Sequence, residues 1–181
     1  AIHRNSQRLK SIIKDLLDLS RIESGNYSFE LTELSLVSQV NSAVKALQQK
    51  SEEKGIELSL DIAAEDVVLV DELSLQQIIT NLIDNAINYT QEKGLVKIYS
   101  NDIGNYIEIC VEDNGPGVPL EYHERLFERF FRVDKGRSRN MGGTGLGLSI
   151  VRNLCESMNG AIAIDSNYTD GARFIVKLPK A

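Results

Sequence analysis

The chain has 181 residues, 42% of them hydrophobic and 25% charged, enough to bury one substantial core with an appendage. A net charge of −6 argues against a nucleic-acid binder, which shows a basic face. No apolar run approaches the ~20 residues of a membrane span, and Cys110 and Cys155 sit in apolar, strand-like and helix-like surroundings, as reduced core residues rather than a disulfide framework or metal site. We therefore expect a soluble, intracellular piece of a longer protein, since the first residue already lies inside a helical pattern.

Residues 2–23 predict a helix. Ile2, Leu9, Ile12, Leu16 and Leu19 follow heptad spacing, and Ile13 and Leu17 widen the seam to a bundle-type face. So long a seam, standing before everything else, favours an intermolecular bundle over packing on its own domain. Gly25 suits the left-handed cap. Tyr27, Phe29 and Leu31 alternate, predicting an edge strand over 27–34. Ser35 can cap a helix running to Lys54, with Gly55 ending it. Residues 56–62 and 67–70 read as strands, and Asp71 opens a helix through Tyr89. Strands at 95–101 and 106–112 form a hairpin, and Pro119 begins a short helix to about residue 131. A polar loop fills 134–143, a helix follows over 144–159, and strands at 161–165 and 172–178 close a second hairpin. This interleaving predicts an α/β sandwich, a mixed sheet with helices on one face.

The chemistry concentrates late. Gly142, Gly143, Gly145 and Gly147 stand within six residues and lead into an apolar helical run. A helix opened by glycines offers free N–H groups and a positive dipole end, which favour phosphate, although a flexible turn fits these glycines equally well. Gly147 is followed by Leu148 rather than Lys, and a polar loop rather than a strand precedes Gly142, so neither the P-loop nor the dinucleotide fingerprint fits. Asp113 directly follows an apolar strand, where its carboxylate can accept from a ligand amine, and Gly115 and Gly117 allow a sharp turn. Asn81, Asp84, Asn85 and Asn88 share one helical face opposite Ile79, Leu82, Ile83 and Ala86. Amides are poor helix-interior residues, and their oxygens suit Mg²⁺ that already bridges phosphates. Phe127, Phe130 and Phe131 suggest an aromatic anchor for the segment entering the polar loop; beyond it Arg132, Lys135, Arg137 and Arg139 can reach phosphates, although a solvated loop fits each of them better.

These four stretches, 81–90, 113–117, 126–131 and 142–147, occur in the order and spacing of the asparagine box, first glycine box, phenylalanine box and second glycine box. The chain thus closely resembles the ATP-binding domain of sensor histidine kinases of two-component systems. Residues 16–25 (LLDLSRIESG) also resemble the second helix of that family's dimerisation hairpin. The resemblance implies a Bergerat-type sandwich over 26–181, with residues 1–25 a truncated hairpin helix that forms a homodimer in the full-length protein. It implies ATP and Mg²⁺ as ligands, a response-regulator receiver domain as partner, and a cytoplasmic domain whose parent is attached to the inner membrane. It further implies that Asn85 ligates Mg²⁺, Asn81 contacts the phosphate and metal region, and Tyr89 lines the adenine pocket. Asp113 would accept from the adenine amino group, with Gly115 and Gly117 beside the base. Gly143, Thr144, Gly145, Leu146 and Gly147 would carry the return of a lid and cradle phosphates. Many relatives have Lys where Asn88 stands, so the resemblance does not carry that phosphate contact over; Arg132 and Arg137 are candidates to compensate, and the sequence does not choose between them.

Two other readings stay open at this level. Hydrolytic gyrase- and chaperone-type relatives place a Glu where Asn81 stands, to activate water, and an amide cannot take that proton. A nucleotide-sensing or scaffolding module that dimerises through residues 2–23 would show no metal-dependent affinity. The family's acceptor histidine precedes an acidic residue on the first hairpin helix; here only His3, followed by Arg4, and His123 exist, so the acceptor is expected to be absent.

Overall fold

The structure, a computed structural model, describes residues 2–133 and 144–181, with the backbone alone for 2–5, 7, 8 and 11. Helix α1 (Ile2–Glu23) ends where Gly25 turns left-handed, and Asn26 N–H returns to Arg21 O at 3.1 Å. Its seam divides. Leu19 and Ile22 are buried in the core beside the last helix, whereas Leu9, Ile13, Leu16 and Leu17 are exposed. Packing on its own domain, set second by the sequence, therefore holds for the last turns.

Strand β1 (Leu31–Ser35) pairs antiparallel with β3 (Val67–Asp71) as a separate two-stranded ribbon. The expected start at residue 27 is too early. Tyr27 and Phe29 alternate because their rings pack together at 4.6 Å against the core, not because they enter a ladder. Helix α2 (Leu36–Lys54) ends at Gly55 with φ 66°, and β2 (Glu57–Asp61) follows. Helix α3 (Glu72–Tyr89) is capped by Asp71, whose Oδ1 accepts from Ser74 N–H at 2.9 Å and Ser74 Oγ at 2.7 Å.

Strands β4 (Leu95–Asp102), β5 (Tyr106–Asp113), β6 (Ala161–Ile164) and β7 (Arg173–Pro179) complete a five-stranded sheet in the order β2-β4-β5-β7-β6. Only β2 and β4 run parallel, so the sheet is mixed as expected. The period of two sorts its faces. Ile107, Ile109 and Val111 pair with Leu178, Val176 and Phe174, and all six are buried with α3's Ile79, Leu82 and Ile83 and with Ile150, Val151 and Leu154 of α4 (Gly147–Ser157). Helices α2, α3 and α4 pack side by side on that face.

Two further stretches differ from expectation. The segment after Pro119 forms two 3₁₀ turns, Leu120–Tyr122 and Arg125–Phe127, because no continuous apolar stripe supports a longer helix there. Helix α4 starts at Gly147 rather than Thr144, since Gly145 has φ +76°, outside any right-handed helix. The expected loop over 134–143 lies outside the described residues. No described helix is long and apolar enough to cross a membrane.

Candidate functional site

A cavity of about 660 Å³ opens where α3, the exit of β5 and the lead-in to α4 converge. Helix α3 buries Leu82, Ile83, Ala86 and Ile87 against the sheet, which turns Asn81, Asn85, Asn88 and Tyr89 into the cavity. The helical spacing read in the sequence puts Asn81, Asp84, Asn85 and Asn88 on this face, and all four line the cavity together with Tyr89.

Asp113 sits opposite, 4% exposed at the end of β5. Its Oδ1 accepts from Gly115 N–H at 2.8 Å and Ala172 N–H at 3.4 Å, while Oδ2 takes no bond from the described residues. Burial raises its pKa above 3.8, against the lowering effect of those two N–H groups. The loop before β7 presses on this strand end so closely that a Cβ on Gly171 would lie 1.9 Å from Asp113 O. On the sheet's outer face Glu112 holds that loop, accepting from Arg173 Nε at 2.9 Å and Tyr168 OH at 3.0 Å. Burial raises the Glu112 carboxyl, and the bonds from Arg173 and Tyr168 outweigh it, so its pKa falls below 4.5. Gly117 lines the cavity; Gly115 does not, and its part is to brace Asp113.

The third wall leads into α4. Gly145 meets the phenylalanine segment: Phe130 N–H donates to Gly145 O at 2.8 Å, and a Cβ on Gly145 would lie 3.0 Å from Phe130 Cα. Gly147 lets α4 approach α3, since a Cβ there would lie 3.3 Å from Asn81 Oδ1. No side chain caps α4, and Gly147 and Leu148 line the cavity at its first turn. Leu146 is fully buried, with its N–H taken by Thr144 Oγ1 at 3.2 Å, so it supports the core rather than lining the cavity. Thr144 and Arg132 line it; Gly143 and Arg137 lie outside the described residues. The three phenylalanines divide their work. Phe127 packs on the core, Phe131 lines the cavity, and Phe130 is exposed.

Three contributors were not singled out in the sequence. Asp15 of α1 lines the cavity and accepts from Thr144 Oγ1 at 3.0 Å. Lys50 of α2 pairs with Asp84, whose other oxygen accepts from Asn88 Nδ2 at 3.0 Å. Lys54, one turn on, donates to the carbonyls of Ile87, Asn88 and Thr90 at 2.7, 2.8 and 2.5 Å, closing the end of α3. A buried acceptor among Val118, Leu126, Phe131 and Phe174 suits a flat heteroaromatic ring carrying an N–H donor. Amide oxygens and a helix N-terminus suit a metal-bridged polyanion. Among the described residues no cluster of three His, Cys, Asp or Glu could hold a metal alone. A donor set of Asn81 and Asn85 fits Mg²⁺ that arrives with phosphates.

The model of histidine kinase-, DNA gyrase B- and HSP90-like ATPases matches residues 70–181. The chain belongs to this family. Among its ATPases the chain is similar to the catalytic domain of the histidine kinase ThkA, at 31% identity and a TM-score of 0.75, covering 83% of this chain and 96% of that one. It is also similar to full-length ShkA, solved in complex with AMPPNP, at 30% identity and a TM-score of 0.84, covering 96% of this chain and 36% of that one. Among curated relatives, BarA of Escherichia coli K12 is 38% identical over 179 residues, and SenX3 of Mycolicibacterium smegmatis is 38% identical over 175. The matches cover 96% and 97% of this chain but span only 20% and 46% of those two proteins.

Proposed function

We propose that this chain is the catalytic domain of a sensor histidine kinase, which binds ATP with Mg²⁺ and delivers the γ-phosphate to a histidine for relay to a response-regulator aspartate. The observation that carries this reading is one cavity shared by buried Asp113, the amides of Asn81 and Asn85, and the uncapped start of α4. Asp113 Oδ2 accepts from the adenine amino group, Tyr89 and Gly117 line the base, and Asn85 with Asn81 holds the metal and phosphates. Mg²⁺, when bound, neutralises charge on the phosphate oxygens. Transfer rather than hydrolysis follows from the residues near the phosphates. Asn81 stands where hydrolytic relatives carry a glutamate, and its amide cannot take a proton from water.

Helix α1 is the second helix of the hairpin, ending near residue 25, and its exposed Leu9, Ile13, Leu16 and Leu17 are the seam for the rest of a dimeric bundle. A receiver-domain partner is supported by ThkA, solved in complex with the response regulator TrrA and similar at 29% identity with a TM-score of 0.80. It covers 99% of this chain and 49% of that one. The test is incubation with γ-labelled ATP and Mg²⁺. His123 Nε2 already contacts Val118 O at 2.9 Å, and His3 lies on α1, so this chain alone should acquire no stoichiometric acid-labile label. Label should appear on a hairpin carrying the upstream helix, supplied in trans. Stoichiometric label on this chain would overturn the missing acceptor, and an unlabelled hairpin would overturn the kinase reading.

A further inference from the structure

Lys50 stands on α2, outside all four boxes, yet its side chain crosses to α3 and lines the cavity. Its ammonium pairs with Asp84 Oδ1 while Asn88 Nδ2 holds Oδ2, so one carboxylate carries both. Lys50 thus brings a positive charge beside residue 88, where the side chain is a neutral amide. The described charges lining the cavity are Asp15, Asp84 and Asp113 against Lys50 and Arg132. Among the described residues that line the cavity carboxylates outnumber cations, and a triphosphate adds further negative charge. The amides of α3 satisfy metal and oxygen lone pairs without neutralising that charge. Lys50, beside those amides, can. Its pair with Asp84 is more than a third exposed on both sides, hence weakly held and readily shared. An ammonium on a flexible stem has three donors, enough to keep Asp84 and reach a phosphate oxygen.

We propose that Lys50 is a phosphate-binding cation of the nucleotide site, supplying from α2 the charge that Asn88 lacks. The proposal rests on the ATP reading above and is tested separately from it. Affinities for adenosine, ADP and ATP are measured with Mg²⁺ for the parent, Lys50→Met and Lys50→Arg. Lys50→Met should weaken ATP by about tenfold or more, as loss of a charge-assisted bond does, and leave adenosine unchanged. Lys50→Arg should retain most of the affinity. The double variant Lys50→Met/Asn88→Lys should recover ATP binding, because the cation returns from the neighbouring position.

An unchanged ratio of ATP to adenosine affinity in Lys50→Met overturns the proposal. Recovery of ATP binding in Lys50→Met/Asp84→Asn also overturns it, since the loss would then come from an unpaired carboxylate. If Lys50→Met weakens adenosine as well, rescue by Asn88→Lys supports the proposal and its failure overturns it. A parent that binds no ATP at all removes the ATP reading, and that is seen before any variant is made.

Discussion

Asp113→Asn tests the base-recognition end of the cavity with almost no change in shape. In the parent, Oδ1 is committed to Gly115 N–H and Ala172 N–H, and Oδ2 is the oxygen left for a ligand. An asparagine keeps those backbone bonds only if its amide oxygen takes the place of Oδ1, which turns its NH₂ group toward the ligand. A donor then faces the adenine amino group, itself a donor, where an ionised acceptor stood before. A hydrogen bond to a charged group contributes about 1.5–3 kcal/mol, so ATP affinity should fall roughly tenfold to a hundredfold. GTP presents a carbonyl oxygen at the equivalent position and should gain from the same exchange, so the ATP preference should collapse or reverse. Asp113 is 4% exposed, so water offers little compensation. Paired titrations with ATP and GTP in Mg²⁺ read the ratio, and thermal unfolding verifies that the retained backbone bonds still hold the strand end. A folded variant with the parent's ATP-to-GTP ratio would refute the assignment of Asp113.

Asn85→Ala should abolish the Mg²⁺-dependent part of ATP affinity while leaving adenosine binding unchanged, read by calorimetric titration with and without the metal. Lys54→Met removes the donor shared by the carbonyls of Ile87, Asn88 and Thr90; it should cost about 1–3 kcal/mol of stability, seen as a lower Tm. The pH dependence of Asp113 has opposite signs for fold and function. Burial raises its folded pKa above 3.8, so its stabilising proton is fully bound below 3.8 and lost as pH rises through the raised value. Adenine affinity should instead fall on acidification through that same raised value, and a carboxyl NMR titration with a midpoint at or below 3.8 would contradict both.

Much of the fold was legible because its periodicities serve burial directly. Ile79, Leu82, Ile83 and Ala86 repeat at helical spacing and all are buried. In β5 and β7 alternation separates Ile107, Ile109 and Val111 from Glu108 and Glu112, and the register follows. Where the pattern misled, a second use of the same residues was responsible. Tyr27 and Phe29 satisfy a strand's alternation, but they meet each other rather than a ladder partner. The stretch after Pro119 carries helix-forming residues, yet the chain must deliver Leu126 and Phe131 to the cavity within a few residues, and short 3₁₀ turns achieve that.

Residue by residue the site was legible where neighbours in sequence are neighbours in space, and the resemblance alone joined Asp113, Gly117, Thr144, Gly145 and Gly147 to the asparagine helix. Asn81, Asn85, Asn88 and Tyr89 stand on one helix, so their shared face needed no tertiary knowledge. Lys50 meets Asp84 across 34 positions, and Asp15 meets Thr144 across 129. A lone lysine on an amphipathic helix carries no sign of what it will face. Placed in the fold, Lys50 and Lys54 form one device, since residues four apart share a helix face and both cross from α2 to α3. Lys54 gathers the last carbonyls of the asparagine helix, and Lys50 holds Asp84 one turn earlier. The polar face that lines the cavity is therefore held by a second helix that carries none of the recognisable boxes. If the proposed site holds, a change on α2 should shift nucleotide affinity without touching any of them.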